Sequence, residues 1–274
     1  MMDTLDFPAG NHGVLLVHGL CANPLELLPL AKRLHKAGFS VRVPFIKGYG
    51  VSPGSRHIAS FSHWLQVVEA EYLRFANRCE SVSVGGLCIG ANLSLALAAK
   101  HPGELHSLLL ASPTLFYDGW NVPWTRRLLP IAYLPPFRGW TWHRERAPYG
   151  IKNHRLRDWI AAQMEGSGIS AAGASVLPMN AIYQADRLIR SVRRLLPLVN
   201  TPTLVMHASE DDVASPRTPK LIQSHLGTPE VEIRWFHDSY HMITIDNEKD
   251  AVANTAVDFL NRRMKPGAAI KEAA

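Results

Sequence analysis

The sequence predicts an α/β fold in which a mostly parallel sheet is flanked by helices. Short β-branched and apolar runs, typical of buried strands, alternate along the chain with longer amphipathic stretches that are typical of helices. A chain of 274 residues, of which 47% are hydrophobic and 19% charged, also suits one globular unit with a large core. In such a sheet, functional residues are expected just after the carboxyl ends of the strands.

The first 112 residues contain most of this alternation. A first helix is predicted to begin at Asn23-Pro24, because Asn is a favoured N-cap and Pro suits the first helical position, and to end at Gly38. Trp64, Val68 and Tyr72 lie at helical spacing in the second predicted helix. The other elements predicted here are strands at Gly13–His18, Phe39–Pro44, Ser81–Gly85 and Leu105–Ala111, and the helix Phe61–Arg78.

The alternation stops at residue 112 and resumes near residue 199. The intervening segment is rich in Trp, Pro and Arg, and it is interpreted as short helices and loops that form a cap over the strand ends. The predicted division is a core of residues 1–112 and 199–264, a cap of residues 113–198 and a flexible tail of residues 265–274. The elements predicted after the cap are the strands Thr203–His207 and Val231–Phe236 and the helices Arg217–His225 and Asn247–Arg262.

The stretch from Ser81 to Ala99 carries the strongest local signal. A β-branched run is followed by Gly-x-Cys-x-Gly, centred on Cys88, and then by a helix-forming run. In a strained turn between strand and helix, the residues two before and two after the nucleophile must lack bulk, which Gly86 and Gly90 satisfy. The pattern predicts a nucleophile elbow with Cys88 as nucleophile. Alone, it fits a glycine-rich turn with a buried cysteine equally well.

A base and an acid follow later strands in the chain order that such an elbow requires. His241 lies four residues into the loop after Val231–Phe236 and is favoured as the base over His237 at the strand end. The loop after Thr203–His207 contains Glu210, Asp211 and Asp212, among which Asp211 is favoured as the acid. A solvated acidic loop is the alternative interpretation of these three residues.

Taken together, these pieces resemble α/β-hydrolases of the carboxylesterase and monoacylglycerol-lipase group. The resemblance covers roughly the first 115 and the last 75 residues, and it implies that fold and a Cys88–His241–Asp211 triad. It also implies an oxyanion hole formed by the backbone N–H groups of Leu20 and Ile89. The matching stretches are LeuLeuValHisGly at 15–19, Pro44–Gly50, the elbow, GluAspAspVal at 210–213 and SerTyrHisMetIleThrIleAsp at 239–246.

The chain departs from this group at Cys88, where those esterases carry serine. The cysteine is similar to that of dienelactone hydrolases and polyhydroxyalkanoate synthases, two other branches of the fold. A thioester intermediate reacts with amines and thiols, rather than with water, more readily than an oxygen ester does. The cysteine therefore favours thioester substrates or acyl transfer. The main prediction is an acyl hydrolase. An acyltransferase or cyclase, and a non-catalytic binding protein on this scaffold, are the alternatives.

Charge and cysteine content limit the partners and the compartment. Twelve Lys or Arg and four Asp or Glu lie between Trp120 and Asn200, which favours an anionic partner such as an acyl carrier protein, coenzyme A or a phosphate head group. No nucleic-acid-binding motif, metal site, cofactor motif or apolar run long enough to span a membrane is recognised. Three scattered cysteines and an N-terminus without a basic leader predict a cytoplasmic protein.

Overall fold

A sheet of seven strands forms the centre of this computed structural model, which describes residues 4–50, 57–170 and 173–264. Its strand order is β1-β3-β2-β4-β5-β10-β11, and all neighbouring pairs are parallel except β1 with β3. The strands of the described residues are β1 (Leu5–Phe7), β2 (His12–Val17), β3 (Ser40–Val43), β4 (Ser81–Leu87), β5 (Leu108–Ala111), β6 (Trp142–Arg144), β7 (Ile169–Ser170), β8 (Gly173–Ala174), β9 (Val176–Pro178), β10 (Thr203–Ala208) and β11 (Val231–Phe236).

Helices cover both faces of the sheet, as predicted. The side chains of α1 and α9 pack on one face, and those of α2, α3, α7 and α8 pack on the other. The α-helices are α1 (Leu28–Lys36), α2 (Phe61–Ala76), α3 (Ile89–Lys100), α4 (Leu129–Ala132), α5 (Phe137–Trp140), α6 (His154–Ser167), α7 (Met179–Leu195), α8 (Arg217–His225) and α9 (Lys249–Met264). The predicted mostly parallel sheet flanked by helices is therefore confirmed.

The strand order reverses between β2 and β4, because the chain first moves outward from β2 to β3 and then returns to the other side of β2. A crevice opens at the carboxyl ends of the strands where a parallel sheet reverses in this way. The loops that follow β2, β4, β5, β10 and β11 all lie at this edge. The fold therefore brings loops from distant parts of the chain to one place.

The helix α3 is buried on all sides, with every residue from Ile89 to Ala98 shielded from solvent. A helix that is apolar all round belongs in the interior of a large domain. Its buried position fixes the turn that precedes it, because neither end of that turn is free to move.

The description of the cap segment as short helices and loops is wrong in its second half. Two long helices lie there, α6 with 14 residues and α7 with 17. Ala185, Leu188 and Val192 recur on one face of α7 at helical spacing and pack in the same apolar cluster as α2 and α3. The helix α7 therefore lies in the predicted cap by its sequence position but packs on the core. The predicted division of the chain at residues 113 and 198 stays a prediction.

Two further results concern the predicted tail and membrane-spanning helices. The predicted tail, residues 265–274, lies outside the described residues. Within the described ranges, no helix is long and apolar enough to cross a lipid bilayer.

Candidate active site

Cys88 lies in a strained turn between β4 and α3. Its backbone has φ 58° and ψ −118°, a conformation that residues other than glycine rarely adopt. The flanking glycines are required by close backbone contacts. A Cβ atom on Gly86 would lie 2.5 Å from the carbonyl oxygen of Val17, and one on Gly90 would overlap the carbonyl oxygens of Val17 and His18. The sequence pattern therefore forms the sharp strand-to-helix turn that was predicted.

The side chains of His241 and Asp211 meet beyond the ends of β11 and β10. His241 Nδ1 lies 2.8 Å from Asp211 Oδ2 and 2.9 Å from Oδ1, and both residues are buried. The backbone N–H groups of Val213 and Ala214 donate to Asp211 Oδ1 at 2.8 Å each. This carboxylate is thus fixed by its own loop while it orients the imidazole.

The thiol of Cys88 lies near the imidazole of His241. Its Sγ atom is 3.4 Å from Thr114 Oγ1, while His241 Nε2 has no hydrogen-bond partner among the described residues. The Cys88 side chain is nevertheless close enough to act on the imidazole electrostatically. The structure therefore places Cys88, His241 and Asp211 near one another, with His241 bound to Asp211 and the Cys88 thiol bound to Thr114.

The environment of the imidazole favours its protonated form. Burial alone would lower the pKa of His241, but the Asp211 carboxylate and the Cys88 sulfur outweigh burial and hold that pKa well above its usual range. In the opposite sense, burial would raise the pKa of Asp211, and the neighbouring His241 keeps it below its ordinary value. The protonated imidazole forms an ion pair with the Asp211 carboxylate, 2.8 Å from His241 Nδ1.

The competing residues of the two loops have other contacts. Glu210 is exposed and its carboxylate accepts a charged hydrogen bond from Lys152 Nζ at 3.0 Å. His237 is also exposed, and its Nδ1 lies 3.0 Å from Ser209 Oγ. Neither side chain contacts His241.

Asp212 supports His241 without touching its ring. Its two carboxylate oxygens accept the backbone N–H groups of His241 at 3.3 Å and Gly150 at 3.2 Å. The hydroxyl of Ser112 donates to the His241 carbonyl oxygen at 2.7 Å. The backbone of His241 is therefore held by the segments that contain Asp212 and Ser112, and Asp212 also joins it to Gly150 of the predicted cap.

A second serine–histidine contact lies inside the sheet. Ser83 Oγ on β4 is 2.9 Å from His12 Nε2 and 2.7 Å from Ser107 Oγ, and all three residues are buried. Neither Ser83 nor His12 lines a cavity near the strand ends. This group fills the interior between β2, β4 and β5, away from the loops that follow the strands.

A cavity of about 480 Å³ lies directly above Cys88 and His241. Leu20 and Ile89 line it beside the thiol, and neither of their backbone N–H groups donates a hydrogen bond to the described part of the chain. The cap contributes most of the remaining wall, which is mainly apolar. The lining from residues beyond 112 includes Tyr117, Leu128, Leu129, Leu177, Ile182 and Met242.

Two carboxyl groups beside this cavity, the buried Glu26 and the half-buried Glu145, were not recognised in the sequence. Glu26 is 1% exposed, and its Oε1 accepts the backbone N–H of Gly19 in the loop that carries Leu20. Burial raises the pKa of Glu26 to about 8. Burial, with a contribution from Asp212, also raises the pKa of Glu145 to about 7. Glu26 follows the Asn23 cap, where an acidic residue ordinarily indicates an exposed first turn.

Comparison with known proteins identifies the family of this chain. Residues 11–250 match a family described as serine aminopeptidase, S33, whose model is named Hydrolase_4. The chain belongs to this family. It is a hydrolase, as the sequence predicts, but the family description refers to serine enzymes, whereas the elbow of this chain carries Cys88.

Curated relatives of this family member match along nearly their whole length. The chain is 27% identical to a thermostable monoacylglycerol lipase of Bacillus sp. (strain H-257) over 250 residues, which cover 91% of this chain and 90% of the relative. It is 24% identical to a carboxylesterase of Bacillus subtilis (strain 168) over 258 residues, which cover 93% and 95% of the two chains.

Solved structures show the same fold. A chain from a study of LipS and LipT, two metagenome-derived lipolytic enzymes, superposes with a TM-score of 0.80 at 24% identity and covers 95% of this chain and 98% of its own. A soluble variant of monoglyceride lipase from Saccharomyces cerevisiae gives a TM-score of 0.81 at 15% identity, with coverages of 96% and 92%. The predicted α/β-hydrolase fold is confirmed.

Proposed function

We propose that this hydrolase cleaves carboxylic esters of lipid acyl groups through a covalent acyl-cysteine intermediate on Cys88. Its family membership and its relatedness to a monoacylglycerol lipase and a carboxylesterase support ester hydrolysis. The mainly apolar cavity above the thiol supports an acyl chain as the bound group.

One observation carries the assignment of the residues. A buried imidazole is bound to Asp211 through one nitrogen and leaves the other, Nε2, without a partner among the described residues, on the side of Cys88. A nucleophile, a base and an orienting carboxylate in that relation are the parts that covalent acyl catalysis requires.

In the first half of the proposed reaction, His241 takes the thiol proton and the Cys88 sulfur attacks the acyl carbonyl carbon. A carbon–sulfur bond forms, and the carbonyl oxygen becomes an oxyanion bound by the N–H groups of Leu20 and Ile89. Collapse of this intermediate breaks the ester carbon–oxygen bond. The leaving alcohol receives its proton from His241, and Asp211 stabilises the imidazolium in between.

In the second half, His241 deprotonates a water molecule that attacks the thioester carbonyl. The same two N–H groups bind the second oxyanion. The carbon–sulfur bond then breaks, the sulfur recovers its proton from His241, and the fatty acid leaves the cavity. The net reaction consumes one ester and one water molecule and produces one alcohol and one acid.

Mass spectrometry of the protein mixed with acyl esters of different chain lengths tests this proposal. We expect an acyl adduct on Cys88 whose mass identifies the acyl group. We also expect Cys88→Ala to lower kcat by roughly 10³-fold or more, because removal of a nucleophile leaves only binding and oxyanion contacts. Cys79→Ser, which changes a cysteine outside the cavity, is the matched control.

Turnover of p-nitrophenyl esters by Cys88→Ala at the wild-type rate would overturn the proposal. Equal reactivity of Cys21, Cys79 and Cys88 toward iodoacetamide, without ester turnover, would instead favour the binding-protein alternative. Burial raises the pKa of Cys21 to about 12, so its thiol is expected to react slowly.

Acyl transfer is the second candidate function, and the cysteine at the elbow is the observation that favours it. An acyl-cysteine passes its acyl group to an amine or a thiol more readily, relative to water, than an acyl-serine does. Incubation of an acyl thioester, such as an acyl-CoA, with and without an amine acceptor separates the candidates. Amide formation that Cys88→Ser abolishes while ester hydrolysis persists supports transfer, and free acid as the only product rejects it.

A cytoplasmic location belongs with this proposal, since a reducing compartment keeps Cys88 as a thiol. An acyl donor bound to coenzyme A or to an acyl carrier protein would be available there. The arginines of the predicted cap provide positive charge toward such a donor.

A further inference from the structure

The segment between β2 and α1 holds the carboxyl group of Glu26 against its own backbone. Glu26 lies in the short 3₁₀ helix Pro24–Leu27, which follows the Asn23 cap. Its Oε1 accepts the Gly19 N–H, and a Cβ atom on Gly19 would lie 3.1 Å from Oε1 and 3.5 Å from Oε2. The whole carboxyl group therefore lies against the Gly19 backbone, and both residues line the cavity above Cys88.

The neighbouring peptide groups of this loop are fixed by other contacts. Tyr49 Oη donates to the His18 carbonyl oxygen at 2.7 Å, and the Cys21 N–H donates to the Tyr49 carbonyl oxygen at 3.0 Å. The Gly19 carbonyl oxygen accepts the Ala22 N–H at 3.3 Å and lies 2.9 Å from His18 Nδ1. These contacts hold the chain on both sides of the Gly19 N–H.

The Leu20 N–H is the exception in this loop. Within the described part of the chain, the N–H groups of Gly19, Cys21 and Ala22 each donate a hydrogen bond, whereas that of Leu20 donates none. The carbonyl oxygen and the N–H of a trans peptide point in opposite directions, so the bonds to the Gly19 oxygen turn the Leu20 N–H away from that side. Leu20 lines the cavity, so a free donor is available where an oxyanion hole needs one.

We propose that Glu26 is a positioning residue of the reaction: its uncharged carboxyl group fixes the peptide that precedes Gly19, so that the free Leu20 N–H faces the acyl carbonyl oxygen. Glycine has no side chain to restrict its backbone, and the contact from Glu26 supplies that restriction. This role rests on the proposed function, because it requires an oxyanion at the cavity wall. It adds a residue that neither attacks the substrate nor transfers a proton.

The charge of the carboxyl group matters because of where it lies. Burial raises the pKa of Glu26 to about 8, so the group is mostly protonated at neutral pH. A carboxylate at this position would oppose the negative charge that forms on the carbonyl oxygen, in a site where water screens little of the repulsion. We therefore expect acylation to slow as pH rises through the pKa of Glu26.

Other titratable groups surround Glu26, and a change of Glu26 leaves them in place. Burial lowers the pKa of His18 to about 4 and raises that of the Cys21 thiol to about 12, so neither changes charge between about pH 6.5 and 9.5. Burial also raises the pKa of the Tyr49 phenol well above its usual range. Effects of the titratable groups in the cavity largely cancel in a ratio of variant to wild-type rates; these groups include Cys88, Glu145, Asp212 and His241.

Two reactions of the Cys88 thiol test the proposal. Acylation by a p-nitrophenyl ester forms an oxyanion, whereas alkylation by iodoacetamide displaces iodide from a saturated carbon and forms none. Glu26→Leu removes the acceptor of the Gly19 N–H. We expect it to lower the acylation rate constant by roughly 10- to 100-fold and to change the alkylation rate by less than about twofold. Glu26→Gln keeps an acceptor and should restore acylation to within about threefold of wild type near pH 6.5.

The pH dependence of acylation separates the charge of Glu26 from its hydrogen bond. The ratio of the Glu26→Gln rate to the wild-type rate should rise by at least about threefold between about pH 6.5 and 9.5, since only the wild type acquires the charge. Leu25→Ala is the matched control, because Leu25 is exposed on the same 3₁₀ helix and lies outside the cavity lining. This control should follow the wild type in both reactions and at every pH.

Three results would overturn the proposal: wild-type acylation by Glu26→Leu, equal losses of acylation and alkylation in that variant, or a Glu26→Gln ratio that stays constant with pH. Circular dichroism shows whether each variant is folded. If Glu26→Leu does not fold, the pH dependence of the Glu26→Gln ratio decides. A wild-type protein that forms no acyl adduct on Cys88 would reject the proposed function and this role with it, whereas the three results above require an active wild type.

Discussion

The carboxyl group of Glu26 is buried next to the loop that carries Leu20, a proposed oxyanion donor. Burial disfavours the charged form of this carboxyl group. It holds its proton to about pH 8, whereas an ordinary glutamate releases its proton near pH 4.5. Between these two values the folded state binds one more proton at this site than the unfolded state does. The free energy of unfolding therefore falls as pH rises through this window, and the loss is complete above the folded-state pKa.

We expect Glu26→Gln to abolish this loss, because the amide oxygen can still accept the Gly19 N–H and the side chain has no proton to release. The variant should gain stability relative to the wild type as pH rises from 5 to 8.5, by on the order of 4 kcal/mol at the upper end. Urea denaturation at a series of pH values measures the difference. Glu165→Gln, at an exposed position on α6, serves as the control and should show no such trend.

At the scale of residues, chain order constrained the predicted positions of the site residues most strongly. Cys88, Asp211 and His241 each follow a strand, and a parallel sheet brings those strand ends to one edge. Their catalytic roles, and those of Leu20 and Ile89, stay predictions. Glu26 and Glu145 were not predicted, because the burial of a lone acidic residue depends on tertiary packing that no local pattern records.

At the scale of elements, the turn at Cys88 shows how closely the strand β2 and the helix α3 approach. The Gly90 position leaves no room for a methyl group, since a Cβ atom there would overlap the carbonyl oxygens of two residues at the end of β2. The backbone atoms concerned belong to a fully buried strand and helix, which cannot shift independently.

Gly90→Ala is therefore expected to destabilise the protein by about 2–4 kcal/mol and to reduce activity by displacing the elbow. Thermal denaturation and ester turnover measure the two effects. Gly166→Ala on α6 is the matched control, because a Cβ atom there would meet nothing within 4 Å. That change should instead stabilise the protein by roughly 0.5–1 kcal/mol, as alanine is favoured over glycine inside a helix. Equal destabilisation by both changes would contradict the steric explanation.

The elements that the sequence predicted least well are those that depend on remote contacts. The strand β1 has only three residues, too few for an alternating pattern to be visible, and it forms by antiparallel pairing with β3. The helix α7 has a strong apolar stripe, but the abundance of Trp and Pro earlier in the segment led to its interpretation as loops. By contrast, Val231–Phe236 and Arg217–His225 have the predicted bounds.

At the scale of the whole molecule, α7 determines whether cap and core behave as separate units. Leu188 on this helix is fully buried in the apolar cluster that α2 and α3 also form. Because the helix belongs to the cap segment in sequence and to the core in packing, the two are expected to unfold together.

We expect tryptophan fluorescence and far-UV circular dichroism to give one coincident unfolding transition. Five of the seven tryptophans lie between residues 113 and 198, so fluorescence reports mainly on the cap. Leu188→Ala should shift both signals together and lower stability by about 2–5 kcal/mol. Leu198→Ala, at an exposed position just beyond α7, should change stability by less than about 0.5 kcal/mol. Two separate transitions would indicate independent units.

The paired hydrogen bonds of Asp212 connect the cap turn at Gly150 to the backbone of His241. The backbone N–H of Met242 also donates to the Gly150 carbonyl oxygen at 2.8 Å, so the turn and the His241 loop are joined both directly and through the carboxylate. We expect a ligand that displaces the turn at Gly150 to shift the backbone of His241 as well, and by thermodynamic reciprocity a ligand that shifts His241 should displace the turn. The buried turn at Gly150 and the position of the His241 imidazole are therefore expected to change together.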